Sequence, residues 1–215
     1  MDFIKVVVER EHPLESPDFI DPDGCINDNN NNNGFLEQLN LLMLNQPYSL
    51  LDLGCAGGKL VVDAYNQGKT AVGLEGGNEE AILTRGAGRQ NWINYKNKCL
   101  FFADISKNVD ISDINNNIYK FDIITAWDFL EHPAPEEIPF VIDNIKKHLK
   151  DTGMFIGTIN PSEGYKHRCA RDKKWWNETF KSKGFKVCSY PLTVTPRPYV
   201  GFNGIDYAAC FRLEN

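Results

Sequence analysis

Apolar residues fall in short blocks along this chain, and the blocks are separated by stripes with helical spacing. Leu50 to Leu53 is the clearest block, broken near its end by one acid, Asp52. Such a run, bounded by turn residues, predicts a short buried strand. Similar blocks predict strands near 48–53, 70–74, 98–103, 121–126, 153–159, 185–190 and 206–213. Between them the apolar positions repeat every three or four residues. That spacing predicts helices near 58–67, 78–91, 136–149 and 172–183, with Gly184 as the stop after the last. Phe35 to Leu44 reads as a further amphipathic helix packed on a sheet edge. The stretch 105–120 is polar and fits neither period. Alternating strands and helices predict an α/β fold with a mostly parallel sheet covered on both faces. One domain suffices: residues 1–47 form a leader, and 48–215 form the core. The charged, proline-containing part of the leader, Glu9 to Asp23, lacks helical periodicity, and Asn29 to Asn33 is an asparagine tract that reads as a loop.

The turn after the first core strand carries the strongest chemical signal. Gly54-Cys55-Ala56-Gly57-Gly58 opens directly into the helix from Lys59. A dinucleotide site needs G-x-G-x-x-G, and a phosphate loop needs Gly-Lys-Ser/Thr; Gly58-Lys59 is followed by Leu60. An acid beside the turn would repel a diphosphate but suits a ligand that carries an amino group or a cation. The next strand ends at Glu75-Gly76, where an acid can accept hydrogen bonds from ribose hydroxyls. A third strand ends at Asp104-Ile105; Asp104 alternatively caps a following helix.

The fourth strand delivers Trp127 and Asp128 to its carboxyl end, where ligands of open α/β sheets gather. Asp128, Glu131 and His132 stand at i, i+3 and i+4, and Pro133 and Pro135 forbid an extended helix. Three readings are open. His132 could act as a general base on an acceptor hydroxyl, with Glu131 and His167 assisting. A magnesium- or manganese-like ion could bind the carboxylates and imidazole, with His167 as a further ligand. The Glu-His pair could also be only a hydrogen-bonded turn. A metal is not required and is not assigned. The loop Asn160 to Arg168 leaves the same sheet edge, and Thr195 to Gly204 would wall an acceptor pocket.

Charge and cysteine content narrow the choice of partners. A net charge of −6 argues against a protein that holds long nucleic acid through its phosphates. Six cysteines, none in a C-x-x-C pair, suit a reducing, cytoplasmic setting. No run approaches membrane-spanning length, so no membrane partner is expected. Lys166, Arg168, Arg171, Lys173 and Lys174 form a basic run that is either a solvated face or a nucleic-acid contact.

Taken together, LLDLGCAGG at 50–58, VGLEG at 72–76, ADI at 103–105 and FDIITAWDFLEH at 121–132 resemble the class I S-adenosylmethionine-dependent methyltransferases. The likeness lies with a branch acting on small molecules and sugars. Ser16-Pro17-Asp18 with Asn27-Asp28-Asn29 looks like the leading segment of that branch. The resemblance implies a Rossmann-like, seven-stranded sheet of order 3-2-1-4-5-7-6 with the last strand antiparallel. It implies that S-adenosyl-L-methionine is the cofactor, lined by Asp52, Gly54, Cys55, Ala56, Gly57, Glu75, Gly76, Asp104, Ile105, Trp127 and Asp128. It places Asp104 at the adenine edge. His132, Glu131 and His167 are the catalytic candidates, and the acceptor is a small-molecule, sugar or glycan hydroxyl. The acid-x-x-Glu-His spacing also resembles metal-using O-methyltransferases acting on vicinal hydroxyls or RNA 3′ ends. The alternatives are therefore a metal-dependent RNA-terminal methyltransferase and a cofactor-binding regulatory protein without turnover.

Overall fold

The structure, a computed structural model, describes residues 4–29, 33–187 and 212–213. It runs β1 (Lys5–Val8), α1 (Pro17–Ile20), α2 (Asp23–Asn27), α3 (Asn33–Leu42), β2 (Ser49–Leu53), α4 (Lys59–Asn66), β3 (Thr70–Glu75), α5 (Glu79–Arg85), α6 (Arg89–Tyr95), β4 (Leu100–Phe102), β5 (Val109–Ser112), β6 (Phe121–Trp127), α7 (Ile138–His148), β7 (Leu149–Thr158), α8 (Lys173–Ser182), β8 (Phe185–Lys186) and β9 (Arg212–Leu213). Five strands form one parallel sheet in the order β4-β3-β2-β6-β7. This is the 3-2-1-4-5 part of the expected order. Phe185–Lys186 pairs antiparallel with Arg212–Leu213 as a separate two-stranded ribbon. Seven strands in one sheet are therefore not seen among the described residues. The remainder of the strands expected at 185–190 and 206–213, Cys188, Cys210, the loop Thr195 to Gly204 and the tract residues Asn30 to Asn32 lie outside them.

Strand period decides how the sheet is covered. Successive residues point to opposite faces. Leu51, Leu53, Val72, Leu74, Ile124 and Ala126 join the apolar layer under α7 and α8. Their neighbours Leu50, Ala71 and Ile123 join the layer under α3, α4, α5 and α6. Each layer holds a fully buried tryptophan, Trp176 in the first and Trp92 in the second. No helix among the described residues is long and apolar enough to cross a membrane.

Three departures from the sequence reading matter for the site. The helix expected at 78–91 is two helices. Gly86 ends the first, and Gly88 passes so close to Gly57 that no Cβ would fit between them. The polar stretch 105–120 contains β5, which pairs antiparallel with β1 of the leader. The leader itself is not irregular throughout. Ser16 accepts a hydrogen bond from the Phe19 amide at 3.1 Å, Pro17 sits at the first position of α1, and Asp18 lies in its first turn. That N-cap, proline and acid are a legible start signal, too short in span to show helical periodicity. Pinned by β1 at one end, the leader folds over the carboxyl edge of the main sheet.

Candidate active site

The carboxyl ends of β2, β3, β4 and β6 and the leader enclose a cleft of about 350 Å³. Gly54 and Ala56 line it from the turn after β2, Glu75, Gly76 and Gly77 from the end of β3, and Asp104 and Ile105 from the end of β4. Trp127, Asp128, Glu131 and His132 come from the end of β6, and His167 and Arg168 from the loop after β7. Pro13, Ser16, Asp18 and Phe19 form the roof. The structure thus gathers Gly54, Ala56, Glu75, Gly76, Asp104, Ile105, Trp127, Asp128, Glu131, His132 and His167 around one space. Asp52, Cys55 and Gly57 are not on its wall.

Asp52 lies beneath the glycine turn. Its residue is the register partner of Thr125, whose hydroxyl donates to Asp52 Oδ1 at 2.7 Å. It faces the packed layer between strand and helix and not the ligand space. Burial pushes its carboxyl up to about 7, with the Thr125 hydroxyl pulling the other way. A carboxyl raised in the folded state stabilises the fold below the unfolded value near 4 and loses that contribution as pH rises through about 7. Asp52→Asn removes the ionisation and leaves an acceptor for Thr125. Its melting temperature is expected to exceed the parent's at both pH values, by the equivalent of about 1–2 kcal/mol at pH 5 and about 4 kcal/mol at pH 8. Scanning calorimetry at the two pH values checks this. A variant with the same pH dependence as the parent would show that Asp52 is not the titrating group.

A strand, glycine turn and helix in succession is a geometry that can bring bare amides to a ligand. Instead the fold uses every one of them. Gly54 and Cys55 donate to the Leu74 carbonyl at 2.9 and 3.0 Å, Ala56 to Glu75 Oε2 at 2.7 Å, Gly57 to the Asp28 carbonyl at 2.9 Å and Gly58 to the Cys55 carbonyl at 2.8 Å. None of these five amides is left for a phosphate, which agrees with the unsuitable glycine spacing. Gly54 has φ of +70° and packs against Phe129 so closely that a Cβ would lie 2.8 Å from that ring. Ala56 and Asp128 also take left-handed backbone, at φ of 47° and 48°. Both line the cleft, a common location for locally unfavourable backbone.

Glu75 is buried, and its carboxylate accepts from two amides, Ala56 on Oε2 and Gly77 on Oε1, each at 2.7 Å. A carboxylate has about four acceptor sites. Two therefore remain for hydroxyl donors in the cleft. Burial pushes its pKa up, opposed by the two amides.

Asp104 differs from both of its sequence readings. It caps no helix. Oδ1 accepts from the amide of Ser106 at 3.0 Å and its hydroxyl at 2.7 Å, and Oδ2 accepts Arg10 Nε at 2.6 Å with Arg10 Nη2 also in contact. Four donors fill its four acceptor sites. The carboxylate has no capacity left for an adenine amine while Arg10 is in place. Arg10 lies 94 residues away in the leader, and no local pattern pairs it with Asp104.

The turn after β6 is irregular, as Pro133 and Pro135 require. Asp128 Oδ1 accepts from the Thr158 hydroxyl at 2.7 Å, and, beside burial, the Asp128 carboxylate helps push the Glu131 carboxyl up. Glu131 is fully buried. Its Oε1 accepts from the Asn160 amide at 3.0 Å, and its Oε2 has no hydrogen-bond partner among the described residues. Burial raises the Glu131 carboxyl to about 8, against the pull of His132. His132 Nδ1 sits 2.7 Å from Asp18 Oδ2, a contact that becomes an ion pair when the imidazole takes a second proton. Burial alone would lower the His132 pKa, but Asp18 and Glu131 outweigh it and hold the pKa raised. The ring of His167 meets that of His132 edge-on at 5.2 Å, and its Nδ1 donates to the Ser162 carbonyl at 2.7 Å. Glu131, His132 and His167 each present one donor atom, all within 4.8 Å of one another. Trp127 packs edge-on against Phe35 at 4.9 Å, with its buried Nε1 unpartnered.

The basic run is mostly neutralised. Lys166 pairs with Asp21 at 2.9 Å, Arg168 with Glu137 at 2.9 Å, and Lys174 faces Glu178 at 3.9 Å. Arg171 lies over the Trp175 ring, and Trp176 belongs wholly to the core.

Comparison with known proteins follows the same lines. Residues 30–191 match a family described as a methyltransferase domain. An ubiquinone biosynthesis O-methyltransferase of Glaesserella parasuis is 34% identical over 113 residues, covering 52% of this chain and 45% of the relative. The chain thus aligns with about half the length of the curated relatives it matches. A protein of Pyrococcus horikoshii OT3 superposes with a TM-score of 0.57 at 16% identity, covering 95% of both chains. A TehB-like S-adenosylmethionine-dependent methyltransferase of Corynebacterium glutamicum superposes at 0.52 and 15% identity, covering 81% of this chain and 85% of that one. These two likenesses concern the fold.

Proposed function

The chain belongs to the methyltransferase-domain family, and on that premise we propose that it moves the methyl group of S-adenosyl-L-methionine to a hydroxyl of a small molecule. The observation that carries this reading is that one cleft holds both a carboxylate with spare acceptor sites, Glu75, and a histidine–glutamate pair, His132 with Glu131. The cleft fits the donor. Its wall offers acids and no free amides at the glycine turn, which favours a cationic, phosphate-free nucleoside. Trp127 Nε1 and Glu131 Oε2 are buried polar atoms at the cleft that find no hydrogen-bond partner among the described residues, which suits them to a polar ligand.

When bound, the donor supplies an electrophilic sulfonium methyl, whose carbon–sulfur bond breaks as the acceptor oxygen bonds to that carbon, leaving a neutral thioether. The chain's residues do the rest. Glu75 is placed to hold ribose hydroxyls. His132 takes the proton that the acceptor hydroxyl loses, becomes an imidazolium, and passes the proton to solvent. Glu131 and Asp18 favour that charged form. The roof of Pro13, Ser16, Asp18 and Phe19 limits water in the cleft.

The Glaesserella relative is named for O-methylation in ubiquinone biosynthesis, which supports a hydroxyl acceptor. A sugar or glycan hydroxyl is the other small acceptor considered. The paired-off lysines and arginines lend the RNA-terminal reading little support. The open acceptor side of the cleft, lined by Asn160 and His167, argues against a closed, regulatory-only protein.

Calorimetry with S-adenosylhomocysteine and with NAD tests the cofactor. Tight NAD binding with none of the sulfur compound would end the reading. Transfer of labelled methyl to a panel of phenols, nucleotide sugars and RNA then identifies the acceptor class. Activity is expected to survive EDTA at more than half its untreated rate. Loss on chelation, restored by magnesium, would move Glu131, His132 and His167 from proton transfer to metal binding.

A further inference from the structure

The roof segment contributes more than cover. Asp18 reaches from the first turn of α1, 114 positions before His132 in sequence, to within 2.7 Å of its Nδ1. Its place is well determined. Ser16 and Pro17 set the start of α1, and Asp21 at the end of α1 pairs with Lys166 of the loop after β7. The Lys166 Nζ also donates to the Asp21 carbonyl at 2.6 Å. On the other side, Arg168 Nε donates to the His132 carbonyl at 2.9 Å and holds the backbone under the ring. His132 is therefore held from two segments distant in sequence, its ring by the roof and its backbone by the loop after β7.

A carboxylate on one ring nitrogen of histidine selects the tautomer with the proton on that nitrogen and fixes the ring's orientation. With the proton on Nδ1, 2.7 Å from Asp18 Oδ2 although off the line of a hydrogen bond, Nε2 keeps its lone pair. This inference rests on His132 being the base proposed above. We propose that Asp18 is the positioning residue of an Asp18–His132 dyad, so that the base is complete only when the roof is docked on the cleft. The leader then becomes part of the proton-transfer machinery and not merely a lid. His132 also faces Glu131 on its own turn, His167 and Arg168 from the loop after β7, and the Glu75 carboxylate across the cleft. Of these, Asp18 is the acid that contacts His132 Nδ1.

Nitrogen-15 spectra of histidine-labelled protein read the dyad without any acceptor. The chain has four histidines, so the His132→Gln spectrum assigns the signal. The parent is expected to show His132 protonated on Nδ1 with Nε2 bare when neutral. In Asp18→Asn the midpoint of its titration is expected to fall by about one pH unit or more, a tenfold loss of proton affinity. Asp18→Glu is expected to recover most of it. A parent His132 carrying its proton on Nε2 would overturn the dyad even if Asp18→Asn did not fold. So would an Asp18→Asn protein with the parent's tautomer and midpoint. S-adenosylhomocysteine affinity is measured beside it. Failure of that binding in the parent would remove the methyl-transfer reading, whereas the histidine spectra decide the dyad by themselves.

Discussion

His132→Gln is expected to lower methyl transfer by roughly 10²–10⁴-fold, the range for removing a positioned general base. Binding of S-adenosylhomocysteine is expected to stay within about threefold of the parent, because glutamine keeps the volume and the cofactor contacts proposed here lie on other residues. His132 meets Asp18 through Nδ1, lies on the turn of Glu131, and lines the same cleft as Glu75. Loss of the imidazole removes the proton acceptor while the cleft remains. Single-turnover transfer of labelled methyl to the acceptor found in the panel measures the effect. A rate within threefold of the parent would remove His132 from the chemistry and leave positioning alone to explain turnover. A rate falling together with cofactor affinity would mean that the turn had collapsed, which the melting temperature reports separately.

The second large effect is at Glu75. Glu75→Ala is expected to weaken S-adenosylhomocysteine about 100-fold or more. Hydrogen bonds to a charged partner are worth about 1.5–3 kcal/mol each, and two acceptor sites of Glu75 are free for ribose hydroxyls. The same change strands the amides of Ala56 and Gly77, so the melting temperature is also expected to fall. Glu75→Gln separates the two effects. It keeps shape and one carbonyl acceptor, so affinity is expected to drop with a smaller loss of stability. Calorimetric titration beside thermal unfolding gives both quantities. Parent-like affinity in a folded Glu75→Ala protein would mean that the nucleoside sits elsewhere.

Much of the site was legible in short stretches of sequence. The block Leu50 to Leu53, the glycine turn and the acid at the end of β3 each declare themselves within about ten residues. Glu131-His132 followed by two prolines declares an irregular turn, and the structure has one. The leader was harder. Ser16-Pro17-Asp18 is a good helix start, but α1 spans only Pro17–Ile20, too few residues for a periodic stripe. β1 and β5 escaped for a related reason. They alternate weakly, and each is held by the other at a separation of about 100 residues, not by its own pattern.

The sequence by itself determined the alternation of core strands and helices, the two apolar layers on the sheet, the edge at which ligands gather and the unsuitability of the turn for phosphate. All of these depend on side-chain period, glycine geometry and local caps, which act over a few residues. Only the tertiary structure decided which of the acids face the cleft. Asp52 turns inward to Thr125, Asp104 is consumed by Arg10 and Ser106, and Asp18 of the leader is brought to His132. Each of those outcomes depends on which groups meet across long loops, and a buried carboxylate takes whatever donors the packing brings to it. No local pattern carries that information, because the partners share no neighbourhood until the chain has folded.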